Sequence, residues 1–229
     1  MKYKFPNIKK PTAPTEHSST KREAVFTDIY NSNRWADYGE ANTPSGMGST
    51  LYNTTIIRKE LPHVIKKYGV KTFLDAPCGD FNWMEHVALP KDVSYIGCDI
   101  VPDLISDLSA RYGAQNRTFH ELDIVSGEAP EADMWMCRDA LFHLTLEDGV
   151  KCLKNVSKAR IQYFLSTTYE FVETNTDINT GSFRAINLCK PPYSLPEPIY
   201  AFDDFLAPHP PRIMGVWTAE QLADRFSDV

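Results

Sequence analysis

The sequence predicts an α/β protein: a doubly wound, mostly parallel sheet with helices on both faces. Two short apolar runs, Thr72–Asp75 and Ser94–Asp99, each end in an acidic residue and lead into a turn. Further apolar runs alternate with helical patterns along the chain, which is the order that βαβ units produce. Ligands bind at the carboxyl ends of the strands in such sheets, so both aspartates are expected beside a ligand.

The remaining elements follow from periodicity and from start and stop signals. Further strands are predicted at Arg117–Glu121, 133–137, 161–166 and 213–217. Helices are predicted at 50–68, 81–87, 102–112, 145–156 and from 218 onward. Pro62 is expected to kink or divide the first of these helices. Thr145 and Thr218 each stand three residues before an acid or amide, the pattern of a capping box at a helix start.

Three regions are expected along the chain. Residues 1–22 hold six Lys or Arg and one Glu and are predicted to form a disordered basic tail. Residues 23–70 are predicted to form an N-terminal helical lid, and residues 71–229 the α/β core. Residues 169–212 of that core are rich in Pro, Asn and aromatic residues, which predicts an irregular insertion over the ligand edge. The last helical pattern reaches residue 229, and for this fold we expect more chain to follow.

Composition excludes several classes of protein. The net charge of −6 divides into +5 for residues 1–22 and −11 for the rest, and an acidic body disfavours nucleic-acid binding. No apolar run approaches the roughly 20 residues of a membrane-spanning helix, and the N-terminus shows no secretory signal.

The five cysteines form no C-x-x-C pair, which predicts reduced thiols in a cytoplasmic protein. His and Cys lack the spacing of metal ligands. The oligomeric state is left open.

Four motifs in order give the chain a family resemblance. They are FLDAPCGD at 73–80, YIGCDI at 95–100, LDI at 122–124 and MCRDALFHL at 136–144. From 71 to 168 the chain resembles class I S-adenosylmethionine-dependent methyltransferases. The resemblance implies a Rossmann-like fold, S-adenosyl-L-methionine as cofactor and S-adenosyl-L-homocysteine as product. With SGMGS at 45–49 and R-D-x-x-x-H at 138–143, the pattern resembles a subgroup found in bacterial surface-polysaccharide biosynthesis clusters, which implies a carbohydrate-linked acceptor.

The residues at the predicted ligand edge suit this cofactor. It has no pyrophosphate, and the chain lacks the G-x-G-x-x-G that a dinucleotide needs, which also disfavours an NAD-dependent oxidoreductase. Asp99, 24 residues after Asp75, is expected to accept the ribose hydroxyls. Asp123 is expected to accept the adenine amino group, with Ile124 beside it. Asp75 and Asp80 are expected near the ammonium of the methionine end. Other expected cofactor contacts are Pro77, Cys78, Gly79, Trp83, Ile100 and Arg138.

These assignments have structural alternatives. An aspartate at a strand end commonly caps the next helix. Taken alone, Asp99 and Asp75 could therefore each have a structural role without contacting a ligand. Asp123 is open to interpretation as a surface loop residue. Trp83 has the spacing of a core aromatic.

His143 is the expected general base, because a hydroxyl acceptor must lose a proton during methyl transfer. Asp139 is expected to orient it or to act itself, and Arg138 to bind an anionic group on the acceptor. The alternative is that His143 packs against the next helix while Asp139 caps backbone amides. Acceptor contacts are expected from the lid and the irregular insertion, namely Trp35, Ser45, Ser49, Tyr169, Arg184 and Asn187.

The function predicted from these residues is O-methylation of a small molecule, a sugar or a sugar-linked phosphate group. The second interpretation is an N-methyltransferase acting on an amino sugar or other amine, which needs less help from a base. A third, from a different class, is a module that binds S-adenosylmethionine without catalysis.

Overall fold

The computed structural model describes residues 19–37 and 42–226, which contain a seven-stranded mixed sheet. The strands are β1 Thr72–Asp75, β2 Ser94–Asp99, β3 Arg117–Glu121, β4 Met134–Cys137, β5 Tyr163–Thr168, β6 Tyr200–Asp203 and β7 Ile213–Thr218. Their spatial order is β3-β2-β1-β4-β5-β7-β6, and β7 is antiparallel to both of its neighbours. The predicted doubly wound, mostly parallel sheet is confirmed.

Helices cover both faces of this sheet. They are α1 Ser19–Asn31, α2 Thr55–Lys67, α3 Pro102–Tyr112, α4 Leu146–Lys158 and α5 Ala219–Phe226. Alternate residues of each strand face opposite cores, because side chains alternate along a strand. On β4, Trp135 and Cys137 join the core under α4 and α5, whereas Met134 and Met136 join the core under α2 and α3.

Capping places the helix starts where the sequence predicted them. The Thr145 hydroxyl accepts a hydrogen bond from the Asp148 amide at 3.1 Å. Thr218 and Gln221 cap each other's backbone amides at 3.1 and 3.0 Å, which is a complete capping box. Pro62 lies inside one continuous helix, α2, rather than dividing it. A buried stripe on both sides of Pro62, which includes Leu61 and Val64, holds the helix to the sheet.

The helix predicted at 81–87 was wrong. In its place the chain turns and forms one short 3₁₀ segment, Met84–His86. Phe81 has a φ of +60°, a left-handed conformation in which a helix does not begin. Its buried ring packs edge-on against Tyr95 and Phe119, with centroids 5.3 Å from each. Tertiary packing of Phe81 therefore overrides the helical pattern of the sequence.

The irregular insertion contains a strand that the sequence analysis did not find. Strand β6 pairs with β7, with Asp203 opposite Ile213. Upstream, the Asn175 amide donates to the carbonyls of Asn187, Lys190 and Pro191 at 2.9 to 3.2 Å. Side-chain amide hydrogen bonds thus help to fix the backbone of this part of the insertion. Among the described residues, no helix combines the length and apolar character needed to cross a membrane.

The N-terminal helix is anchored to the core by a buried arginine. Helix α1 begins at Ser19, so Arg22 is helical and 5% exposed rather than part of a disordered tail. Its guanidinium contacts Asp123 at 2.5 Å and Asp148 at 3.3 Å. The rest of the predicted tail, residues 1–18, lies outside the described residues, as do 38–41 of the predicted lid.

Replacing Arg22 should release this anchor. Arg22→Ala removes the guanidinium that Asp123 and the buried Asp148 share, and we expect the free energy of unfolding to fall by about 3 kcal/mol. Urea denaturation measures the loss, and hydrogen exchange across residues 19–31 shows whether α1 detaches first. Arg22→Lys, which keeps the charge, should retain part of the stability. A loss below about 1 kcal/mol, as for an exposed pair, would contradict the anchoring role.

Candidate functional site

A cavity of about 970 Å³ lies at the carboxyl ends of β1, β2, β4 and β5. Most of the residues that the sequence predicted for the site line it. They are Trp35, Ser45, Ser49, Asp75, Pro77, Cys78, Gly79, Trp83, Asp99, Ile100, Asp123, Ile124, Arg138, Asp139, His143 and Tyr169. Strand order explains this convergence, because parallel strands deliver their carboxyl ends to one edge of the sheet.

The turn after β1 is shaped by Gly79 and held by Asp99. Gly79 has a φ of +58°, and a Cβ there would lie 2.7 Å from the Ser45 hydroxyl oxygen. Its amide donates to one Asp99 oxygen at 3.1 Å, while the Val101 amide donates to the other at 3.2 Å. The Ser45 hydroxyl in turn accepts from the Asp80 amide at 2.9 Å. Asp99 therefore braces both this turn and the start of α3 while lining the cavity.

Two carboxyl groups at this edge are poorly solvated. Burial raises the pKa of Asp75 to about 7, although the Tyr95 hydroxyl donates to it at 2.7 Å and Arg138 attracts its charge. Burial also raises the pKa of Asp99 to about 6, against its backbone hydrogen bonds. Both groups would ionise more readily beside a cation, because an opposite charge favours the charged form.

Asp123 is engaged by Arg22. Both of its oxygens receive guanidinium N–H groups, at 2.5 and 3.2 Å, and the Ser126 hydroxyl and Val125 amide also donate to it. Burial opposes ionisation, but these donors outweigh it and lower the pKa of Asp123. Arg22 also lines the cavity, so α1 forms one wall of the end where adenine was expected.

A buried cluster of two arginines and two aspartates lies beside the β4 exit. Arg138 contacts Asp204 at 2.8 Å, and Arg212 contacts Asp139 at 3.0 Å. Arg138 also donates to the Gly48 carbonyl at 2.9 Å and covers the Trp83 ring at 5.2 Å. Its second terminal nitrogen, Nη2, is buried and finds no hydrogen-bond partner among the described residues. An unpaired buried donor costs about 1–3 kcal/mol, so this nitrogen suits an anionic ligand group.

His143 presents one ring nitrogen as a proton acceptor. Its Nδ1 lies 2.7 Å from the Ser182 carbonyl oxygen, which only accepts, so Nδ1 carries the proton and Nε2 is the basic nitrogen. Burial lowers the pKa of His143 to about 4, while Ser182 and Asp139 act in the opposite direction and Arg184 lowers it further. The ring is therefore neutral at pH 7.

Asp139 is engaged mainly by groups other than His143, so its expected role in orienting His143 stays a prediction. Asp139 has a φ of +54° and pairs with the arginines, and the Thr167 hydroxyl donates to it at 3.0 Å. Burial works against its ionisation, but Arg138 and Arg212 lower its pKa. The hydrogen-bond partner of the His143 ring is the Ser182 carbonyl, a backbone atom that no side-chain motif could indicate.

Three expected contacts stand outside the cavity lining. Asp80 receives the Thr43 hydroxyl and the Asn82 amide and so ties the 42–49 turn to the β1 loop. Arg184 donates to the Tyr193 hydroxyl at 3.2 Å and is 8% exposed. Asn187 donates to the carbonyls of Glu170 and Val172. Their role as ligand contacts stays a prediction, since these hydrogen bonds hold them in the insertion and beside the 42–49 turn, while the buried Arg184 Nε has no hydrogen-bond partner among the described residues.

Sequence reasoning missed several residues of the site, chiefly Arg22, Phe183, Asp204, His209 and Arg212. Arg22 had been assigned to the tail. Asp204 directly follows β6 and Arg212 directly precedes β7. Because β7 runs antiparallel to β5, the first residue of β7 lies at the same sheet edge as the carboxyl end of β5. An antiparallel last strand in the prediction would therefore have placed Arg212 at this edge.

Comparison with known proteins places the fold. No protein-family model and no curated protein sequence matches the chain. Among solved structures, it is similar to magnesium protoporphyrin IX methyltransferase (ChlM) from Synechocystis PCC 6803 with bound SAH, with TM-score 0.60 and 11% identity over 87% of this chain and 99% of that one. It is also similar to an S-adenosylmethionine-dependent methyltransferase from Clostridium acetobutylicum, with TM-score 0.54 and 12% identity over 81% and 96%.

Human N-acetylserotonin methyltransferase in complex with SAM is a third similar structure, with TM-score 0.50 and 14% identity. This chain covers 46% of the length of that enzyme, and 69% of this chain is aligned. At these identities the likeness concerns the fold. The chain therefore has the Rossmann-like fold of S-adenosylmethionine-dependent methyltransferases.

The buried carboxyl groups should make stability depend on pH. Asp75 holds its proton to about pH 7 when folded, well above the usual carboxyl pKa of 3.8, so the native state binds more protons than the unfolded state between these values. Stability is then lost as pH rises through this window. Asp75→Asn should raise the free energy of unfolding at pH 8 by on the order of 3 kcal/mol and change it little at pH 4. Thermal melts at both pH values measure this, and equal shifts at the two would contradict it.

Proposed function

We propose that the protein is an S-adenosylmethionine-dependent O-methyltransferase that acts on a small hydroxyl-bearing molecule, with a sugar as the leading acceptor. One observation carries the proposal: His143, whose Nδ1 carries the proton and whose Nε2 is basic, lines the same cavity as the buried Asp75 and Asp99. These groups suit the two halves of a methyl transfer, a cationic donor and an acceptor that must lose a proton.

The residues of the cavity fit the cofactor. When bound, S-adenosylmethionine supplies a methyl group on a sulfonium cation. Asp75 and the orphaned Arg138 Nη2 are the groups that would hold its ammonium and its carboxylate. Asp99 would accept the ribose hydroxyls, beside the space that Gly79 leaves open. Asp123 and Ile124 remain the proposed adenine contacts, and Arg22 shares the Asp123 carboxylate.

His143 is the proposed general base. Its Nε2 is free to accept the acceptor's hydroxyl proton because Nδ1–H is committed to Ser182. A weak base suffices here, because the hydroxyl becomes strongly acidic as its oxygen forms the new bond to carbon. A neutral imidazole also avoids placing a second cation next to the sulfonium. Asp139, paired with two arginines, would act by shaping the cavity wall.

The acceptor half of the cavity favours an uncharged molecule with an apolar face. Trp35, Phe183, Phe205 and Pro208 line it, and aromatic side chains bind the apolar face of a ring well. The two arginines and two aspartates of the cluster sum to zero charge, and the free Arg138 Nη2 is assigned to the cofactor's carboxylate, which leaves no net positive charge for a phosphate on the acceptor. The charge therefore supports a sugar hydroxyl over a sugar-linked phosphate group. A role in cytoplasmic polysaccharide biosynthesis rests on the sequence resemblance alone.

Two other functions remain as alternatives. An N-methyltransferase acting on an amino sugar or other amine would use the same cofactor site and depend less on His143. A binding module would take up the cofactor without transferring its methyl group. The ordered Nε2 of His143, which a binding module does not need, favours catalysis.

Cofactor affinity should depend on the charge of Asp75. We expect the Kd for S-adenosylmethionine to rise as pH falls from about 7.5 to about 6, by up to about tenfold per pH unit, because a protonated Asp75 must first lose its proton. Calorimetric titration across this range measures the dependence. Asp75→Asn should bind more weakly at pH 7.5 and show a flat profile down to about pH 6.5, below which Asp99 contributes. Absence of binding at every pH would contradict the cofactor assignment.

Removing the base should slow turnover without changing cofactor binding. His143→Ala is expected to lower methyl transfer to a sugar hydroxyl at least about tenfold, with the Kd for S-adenosylmethionine within about twofold. The assay follows a labelled methyl group into neutral glycosides, sugar phosphates and amino sugars. His63→Ala, an exposed histidine on α2, is the matched control. Transfer to an amino sugar that survives in His143→Ala would favour the N-methyltransferase, and binding without any transfer would favour the module.

A further inference from the structure

We propose that Trp35 is a positioning residue for the base: its indole holds the imidazole of His143 in place. The sequence analysis had placed Trp35 among the acceptor contacts. The inference builds on the proposed role of His143 as base, and it concerns the part of the site that the N-terminal segment contributes.

The two rings form a stacked pair. Their centroids lie 4.6 Å apart and their planes differ by 28°. Such contact contributes about 0.5–1.5 kcal/mol beyond the area that it buries. The indole covers one face of the imidazole, so it limits tilting of the ring out of its plane.

The other restraints on His143 are complementary. The Ser182 carbonyl accepts from Nδ1 and fixes rotation within the ring plane. Phe142 and Phe183 approach with centroids 4.6 and 6.0 Å away, at steep angles. Asp139 and Arg184 are the charged groups that act on the ring from its surroundings. None of these gives the ring a flat packing surface, and Trp35 does.

Trp35 is itself held by the lid. Phe26 and Tyr30 of α1 contact it at centroid distances of 6.0 and 6.2 Å. Behind it, Gly46 has a φ of +82°, and a Cβ at that position would lie 3.0 Å from the Trp35 Cβ. The backbone of the 42–49 turn therefore approaches Trp35 so closely that a larger residue at position 46 would crowd the Trp35 Cβ.

The same segment reaches the cofactor side of the cavity. The Tyr30 and Ser45 hydroxyls hydrogen bond at 2.8 Å, and Ser45 accepts from the amide that follows Gly79. Trp35 thus belongs to a connected unit that contacts the β1 loop at one end and the base at the other. Placing the indole on the imidazole also excludes water from the ring, which keeps it neutral.

The test is an NMR titration of the His143 ring, which needs neither cofactor nor acceptor. Two-bond ¹H–¹⁵N correlations report both the tautomer and the pKa, and His143→Gln assigns the signal among the six histidines. The wild-type ring should titrate near 4 with the proton on Nδ1. Trp35→Ala should raise the pKa by at least about one unit and mix the tautomers, because water reaches the ring. Trp35→Phe, which keeps a flat face, should stay within about half a unit of wild type.

Two further variants secure the interpretation. Trp35→Leu keeps an apolar side chain without a flat face and replaces the alanine variant if that variant unfolds. It should raise the His143 pKa and mix the tautomers as Trp35→Ala does. Tyr52→Ala removes an aromatic residue that is 63% exposed and outside the cavity lining, and it should leave the ring unchanged. A wild-type pKa and tautomer in both Trp35→Ala and Trp35→Leu would overturn the proposal. If S-adenosylmethionine fails to bind, the proposed function is refuted. The titration still decides whether Trp35 positions the His143 ring, because it needs no cofactor.

Discussion

The buried pairing of Arg138 with Asp204 and of Arg212 with Asp139 is the interaction on which the cavity depends. Arg138 and Asp139 leave β4, Asp204 leaves β6 and Arg212 enters β7. The pairs therefore join the parallel half of the sheet to the antiparallel half at the edge where the cavity lies. A buried pair is stabilising only when both partners are present, since loss of either leaves an uncompensated charge. This requirement holds the long insertion against β4 without help from a continuous hydrogen-bonded ladder.

Beside this neutral cluster, two carboxyl groups that line the cavity lack a cationic ion-pair partner within the described part of the chain. Asp75 and Asp99 are almost fully buried, and their pKa values are raised because burial disfavours their charged forms. Folding carries the cost of burying these groups. A cation that binds there restores a favourable partner to the carboxylates, so the same groups that weaken the fold favour a positively charged ligand.

The N-terminal segment completes the site from outside the sheet. Arg22 fixes the start of α1 to Asp123 and Asp148, and Trp35 lies on His143 beyond its other end. Between them, Ser45 closes over Gly79. The N-terminal segment thus touches Asp123, the β1 turn and His143, and each contact is made with a polar or aromatic group of the core.

Local sequence determined the elements of the core and the acids at their ends. Alternating apolar residues, caps at Thr145 and Thr218, and Gly79 before the first crossover act over a few residues, so the chain itself specifies them. Tertiary structure decided which partner each polar side chain contacts. Asp80, Arg184 and Asn187, expected to contact ligands, make hydrogen bonds with the 42–49 turn and within the insertion, whereas Arg22 and Arg212 line the cavity. The reason is physical: a buried polar group must find a partner, and that partner can be a hundred residues away, as Asp123 is from Arg22.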